Sequence, residues 1–229
     1  MRIYTIWIIL TLFGLTPFIL YRYGFIPEYI FLSYIYLYLL FALALSEVMC
    51  MFLTKSFKDE RRILFFTLSI SVLLNTVALI SVWQGIWVDG QHALDPEHFY
   101  YFRPIWLAAN FPILGFLLWK ISRDSEYLDV KHFALSLSLT SLAIVYLFQS
   151  ILQVGLADVA SYLYVGTALS DIVILALILL ILSLYFKMDV GIYYSILASY
   201  FSLRYITDIT MYYANYKMLD FETPLLFWL

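Results

Sequence analysis

A chain of 229 residues that is 64% apolar and 13% charged, with a mean hydropathy of +0.90, carries about half the charge of an ordinary soluble domain. Its apolar segments run end to end and leave no stretch for a soluble domain. The net charge of −3 is spread over many connectors, with no basic, aromatic-interleaved patch, and implies no nucleic-acid partner. Cys50 is the single cysteine, which excludes an intramolecular disulfide and a thiolate metal cluster.

About 20 apolar residues cross the hydrocarbon core as a helix, which satisfies every backbone polar group where water is missing. Seven stretches qualify, at 3–21, 29–54, 63–87, 102–119, 133–154, 160–186 and 190–213. The fold class expected is all-α, a polytopic transmembrane bundle forming one domain over residues 1–229. The first stretch is expected to be a membrane helix and not a signal peptide: Ile3–Leu20 is long for one, no small-residue cleavage site follows, and it runs into Tyr21-Arg22-Tyr23. The fourth is the shortest, and Pro104 and Pro112 predict a kink near Ala108, with a re-entrant helix as the alternative. Continuous aliphatic runs such as Ile172–Leu184 exclude barrel strands, which alternate. Beyond Asp220 and Glu222, the apolar Thr223–Leu229 reads either as an interfacial segment or as the start of an eighth helix at 221–229.

Lysine and arginine placement orients the bundle. Lys55, Lys58, Arg61 and Arg62, then Lys120, Arg123 and Lys131, then Lys187, fall on one side together with Arg2. The other side has Arg22, Arg103 and Lys217, and its longest connector, 88–101, is acidic. The expected topology is a multi-pass cell-membrane protein with a cytoplasmic N-terminus and the end of the seventh helix outside. Aromatic clusters at helix ends, such as Phe99–Phe102, Trp83 with Trp87, Trp106, and Tyr212, Tyr213 and Tyr216, read as interfacial anchors.

A faint repeat links the second and sixth stretches, Ala44-Leu45-Ser46-Glu47 against Ala168-Leu169-Ser170-Asp171. It suggests two parallel three-helix units joined by the fourth helix, an arrangement found in secondary transporters. Four residues of common types carry little weight.

Charges inside apolar helices carry more, because one near midplane costs about 2.5–3.5 kcal/mol. Asp171 lies in the sixth stretch, and Arg204 and Asp208 lie one turn apart on the seventh. Counted from the turn at 187–189, Asp171 and Arg204 sit at nearly the same depth. An Asp171–Arg204 pair, with Asp208 as second partner, is therefore expected, either as a helix-pairing network or as the wall of a polar path. Glu47, without a basic residue in its own helix, is a candidate protonation site. Asn75 and Asn110 are candidate interhelical hydrogen-bond links. Gln149 and Gln153 are expected to line the outer part of a cavity with Asp158.

No zinc-helix, nucleophile-elbow or phosphate-loop motif occurs, so an enzyme is not expected and no cofactor is implied. His92, His98 and Asp95, in the acidic connector, are weak metal candidates, better explained as loop polarity. Three functions compete. A small-molecule or ion permease would have its polar site between the second, sixth and seventh stretches. A sensor or receptor module would have its output domain missing or separate. A structural subunit would sit in a homo-oligomer or larger membrane complex.

Overall fold

A computed structural model of the chain describes residues 12, 15–17, 19–88, 103–156, 159–186, 188 and 190–215. Among these are seven helices and no strand, and five of the helices are long and apolar enough to cross a membrane. The long ones are α1 (Glu28–Ser56), α2 (Glu60–Val88), α3 (Asn110–Arg123, preceded by a helical stretch over 103–108), α4 (Val130–Val154), α5 (Val159–Tyr185) and α6 (Gly191–Asn215), with a 3-10 turn over Ser125–Tyr127. Most of the first stretch, the acidic connector with His92, His98 and Asp95, residues 157 and 158, and everything after 215 lie outside the described residues.

Local chemistry sets the boundaries. Asp59 opens α2, its Oδ1 accepting from the Arg61 N–H at 3.0 Å and relieving a first-turn donor. Asp129 caps α4 by accepting from the N–H groups of Lys131 and His132, and the His132 ring accepts in return from the Asp129 N–H. Gly155 ends α4 at φ +85°, a conformation that disfavours any side chain. The turn between α5 and α6 requires glycine for another reason: a Cβ on Gly191 would stand 2.4 Å from the Tyr185 carbonyl oxygen.

The prolines act as expected in the fourth stretch. Pro112 has no N–H for the Ala108 carbonyl, and the helix is interrupted at Ala109, whose own carbonyl accepts from the Ser71 hydroxyl of α2. Even so, residues 103–123 qualify as a membrane-crossing length, so the shortest stretch is not the weak one. The stretch expected at 190–213 does form a long helix, α6, but it is absent from the set apolar enough to cross by composition. Arg204, Asp208 and its many hydroxyl groups lower its hydropathy. Those hydroxyls turn back onto their own helix, as in Ser195 to Gly191, Ser202 to Ala198 and Thr210 to Ile206. α6 is carried by packing against α5 instead of by apolarity.

α5 is the hub. It packs against α3, α4 and α6, while α1 leans chiefly on α2, which in turn contacts α3. A helix apolar all round belongs inside a bundle, and Ile172, Ile174, Ile178 and Ile181 of α5 are buried. With Leu64, Phe116, Leu117 and Phe201 most of these form the main core cluster. α1 shows the reverse, exposing Leu37, Phe41, Val48 and Phe52 as a lipid-facing helix should.

Candidate functional site

Three polar positions on α3, α5 and α6 are drawn together near the middle of the bundle. Asp171 on α5 is wholly buried, and its Oδ2 lies 3.3 Å from Nε of Arg204 on α6. Asn110, at the start of α3, donates through Nδ2 to Asp171 Oδ1 at 2.9 Å and to Ser170 Oγ at 2.6 Å. One carboxylate thus ties three helices, its Oδ1 through a hydrogen bond and its Oδ2 through the ion pair alone.

Asp208 was expected to be a second partner of Arg204. It instead accepts from Nη1 of Arg103 at 2.7 Å, and this contact joins α6 to the first turn of the 103–108 helix. Arg103 is 2% exposed, also donates to Thr167 Oγ1 at 3.4 Å, and stacks its guanidinium 3.8 Å over the Tyr164 ring. Sequence alone counted Arg103 as an outer-surface charge because it begins its apolar stretch. The signal that it belongs inside is charge balance: two aspartates in the membrane and only Arg204 to match them. The observed cluster sets two guanidinium groups against two carboxyl groups, and such matching lowers the cost of burial.

Beside this cluster lies a cavity of about 430 Å³, in the range of small-molecule sites. Its polar wall is Arg103, Arg204, Asp208 and Thr207, with Trp106 and Tyr200 beside them. Its other wall comes from α1 and α2, with Leu39, Ala42, Leu43 and Leu79 apolar and Ser46 and Asn75 polar. Several sequence expectations need correction here. The cavity lies between the second, third, fourth and seventh stretches, not the second, sixth and seventh, and Asp171 stands behind Arg204 instead of lining it. Glu47 is not in the wall; Ser46, one residue earlier, is. A one-residue step rotates a helical side chain by about 100°, and Glu47 turns toward α2, where the Ser69 hydroxyl donates to its Oε1. Its Oε2 has no hydrogen-bond partner, and no cation pairs with it, among the described residues. Gln149 and Gln153 are exposed on α4, away from the cavity. Asn75 does line it, although its amide donates to the Ser71 carbonyl of its own helix. Asn110 links helices as its type suggested.

A second polar cluster sits at the opposite end of α2 and α3, and sequence reading passed over it. Lys120 of α3, 2% exposed, reaches Glu60 of α2 at 2.9 Å, Asp124 at 2.7 Å and the Tyr185 hydroxyl of α5 at 2.8 Å. Tyr185 donates to Asp124 Oδ2 at 2.7 Å, and Arg123 adds a 3.2 Å contact to Glu60. Placement in sequence marks Lys120 and Arg123 as connector charges; pairing across three helix ends is invisible in the order of residues. At about 1.5 Å of rise per residue the clasp lies roughly 20 Å along α2 from Asn75. Between them is the core cluster with Leu64, Ile113, Phe116, Leu117, Ile178 and Phe201. The cavity is therefore separated from the clasp by packed apolar side chains.

Comparison with family models, with curated proteins and with solved structures found no match. No group of three or more His, Cys, Asp or Glu side chains placed to hold a metal occurs among the described residues.

Proposed function

We propose that this polytopic membrane protein is a small-molecule permease whose site is the cavity between α1, α2, α3 and α6. The observation that carries the reading is the cavity's wall, where Arg103, Arg204 and Asp208, with Asp171 behind them, meet a half-open space of ligand size. Intramembrane charges characteristically mark substrate or ion paths, and a purely structural pair needs no cavity beside it. The clasp of Glu60, Lys120, Asp124 and Tyr185 supports the same reading as a closed gate. It seals the end that basic residues assign to the cytoplasm, with an apolar plug above it. Exchange of ion pairs at such a gate opens one side while the other closes. The pairing of α1 with α2 and of α5 with α6 is compatible with two parallel units, in line with the faint sequence repeat.

Alternating access is tested without knowing the substrate. Because Cys50 is the single cysteine, replacing it with alanine leaves a background in which Ser46→Cys places one thiol in the cavity wall. In oriented vesicles a membrane-impermeant maleimide should label that thiol from either side. Labelling from one side only, under all conditions, refutes the permease and favours a receptor cavity.

A further inference from the structure

Resting on the permease reading, and naming its ligand, we propose that the cavity binds a small zwitterion: a carboxylate and an ammonium on one carbon, with an apolar side chain. Three features of the wall select this class.

The first is charge. The guanidinium groups of Arg103 and Arg204 are matched by the carboxyl groups of Asp208 and of Asp171 behind the wall, so an anion or a cation entering alone would upset that balance in a low-dielectric interior, whereas a zwitterion would not.

The second is unspent hydrogen bonding. Arg204 Nη1 and Asp208 Oδ2, like Asp171 Oδ2 behind them, have no hydrogen-bond partner among the described residues, and Arg204 and Asp208 belong to the cavity wall. One is a donor suited to a carboxylate, the other an acceptor suited to an ammonium group. They stand four residues apart on α6, where Cβ atoms are about 5–6 Å from each other, a span that a compact zwitterion bridges. Both atoms are shielded from solvent in this conformation. The ligand therefore gains them through a rotamer change of Arg204 and Asp208 into the adjoining space, and unpartnered buried groups favour that change.

The third is polarity across the space. Opposite the ionic wall stand Leu39, Ala42, Leu43 and Leu79, which fit a branched aliphatic side chain and offer no charge of their own. Buried polar groups reject a ligand that lacks either charged end, because the abandoned partner stays unpaired.

The test uses the purified full chain in lipid nanodiscs, with thermal unfolding as a function of ligand concentration. The probes are L-leucine, 4-methylpentanoate, which is leucine without the amine, and 3-methylbutylamine, which lacks the carboxylate. Leucine should stabilise the protein, and each fragment should bind at least tenfold more weakly. Arg204→Gln should erase the preference for leucine over the amine. Ala42→Trp, which fills the space and leaves every charge in place, should abolish the shift even if Arg204→Gln folds poorly. Equal binding of a fragment, leucine stabilisation that persists in Ala42→Trp, or no stabilisation by leucine overturns the ligand class. Two-sided thiol labelling in a protein that leucine does not stabilise would sink the zwitterion and leave the permease. Leucine binding with one-sided labelling would do the opposite.

Discussion

Removing the charge of Asp171 while keeping its shape isolates the buried ion pair. In Asp171→Asn the Asn110 amide still finds an oxygen to donate to, so the loss falls on Arg204, whose side chain is 14% exposed. Breaking a buried pair by deleting one partner costs about 3–5 kcal/mol. Asp208, one turn along the same helix, compensates in part, so roughly 3 kcal/mol is expected, about a hundredfold in the unfolding constant. Arg204→Gln should cost a similar amount by stranding Asp171, which is wholly buried. The double variant Asp171→Asn with Arg204→Gln removes both charges and should cost less than the sum of the singles, with a coupling of about 2 kcal/mol. The assay is denaturation of the protein in mixed micelles, followed by tryptophan fluorescence, for all four members of the cycle. Additive single effects would refute the reasoning, because they would mean that water in the cavity already screens the two charges from each other.

Two further outcomes follow from the clasp and the connectors. Lys120→Met leaves Glu60 and Asp124 facing each other at a buried junction and should cost roughly 3 kcal/mol. The figure is at the low end because Arg123 still reaches Glu60 and Tyr185 still donates to Asp124; the triple Glu60→Gln, Lys120→Met, Asp124→Asn should recover most of it, and a silent single variant would count against the clasp. At the head of α4, the hydrogen bonds from the His132 and Lys131 N–H groups hold the Asp129 carboxyl below the ordinary aspartate value of 3.8. A lowered folded value means that the cap's contribution is complete above that ordinary value and disappears as pH falls through the lowered one. Amide exchange of Lys131 and His132 should therefore accelerate on acidification below about pH 4, relative to an Asp129→Ala control that is already fast.

How much of this protein its residues announce in order depends on the range of the physics involved. Apolar runs, proline spacing and capping residues act within a few positions, so the helices, the break at Ala109 and the ends at Asp129 and Gly155 follow from local chemistry. The depth match of Asp171 and Arg204 was also readable, because two antiparallel helices joined by a tight turn put equal residue counts at equal heights. What lay beyond reach is the rotation and choice of partner of each helix. Rotation sends Glu47 to Ser69 and Ser46 to the cavity, and it leaves Gln149 and Gln153 outside. Choice of partner gives Asp208 to Arg103 across more than a hundred residues and gathers Lys120, Glu60 and Tyr185 into one clasp. A charge in a bilayer needs a counter-charge, and composition states that requirement; only the packing of the helices against one another decides which one answers it.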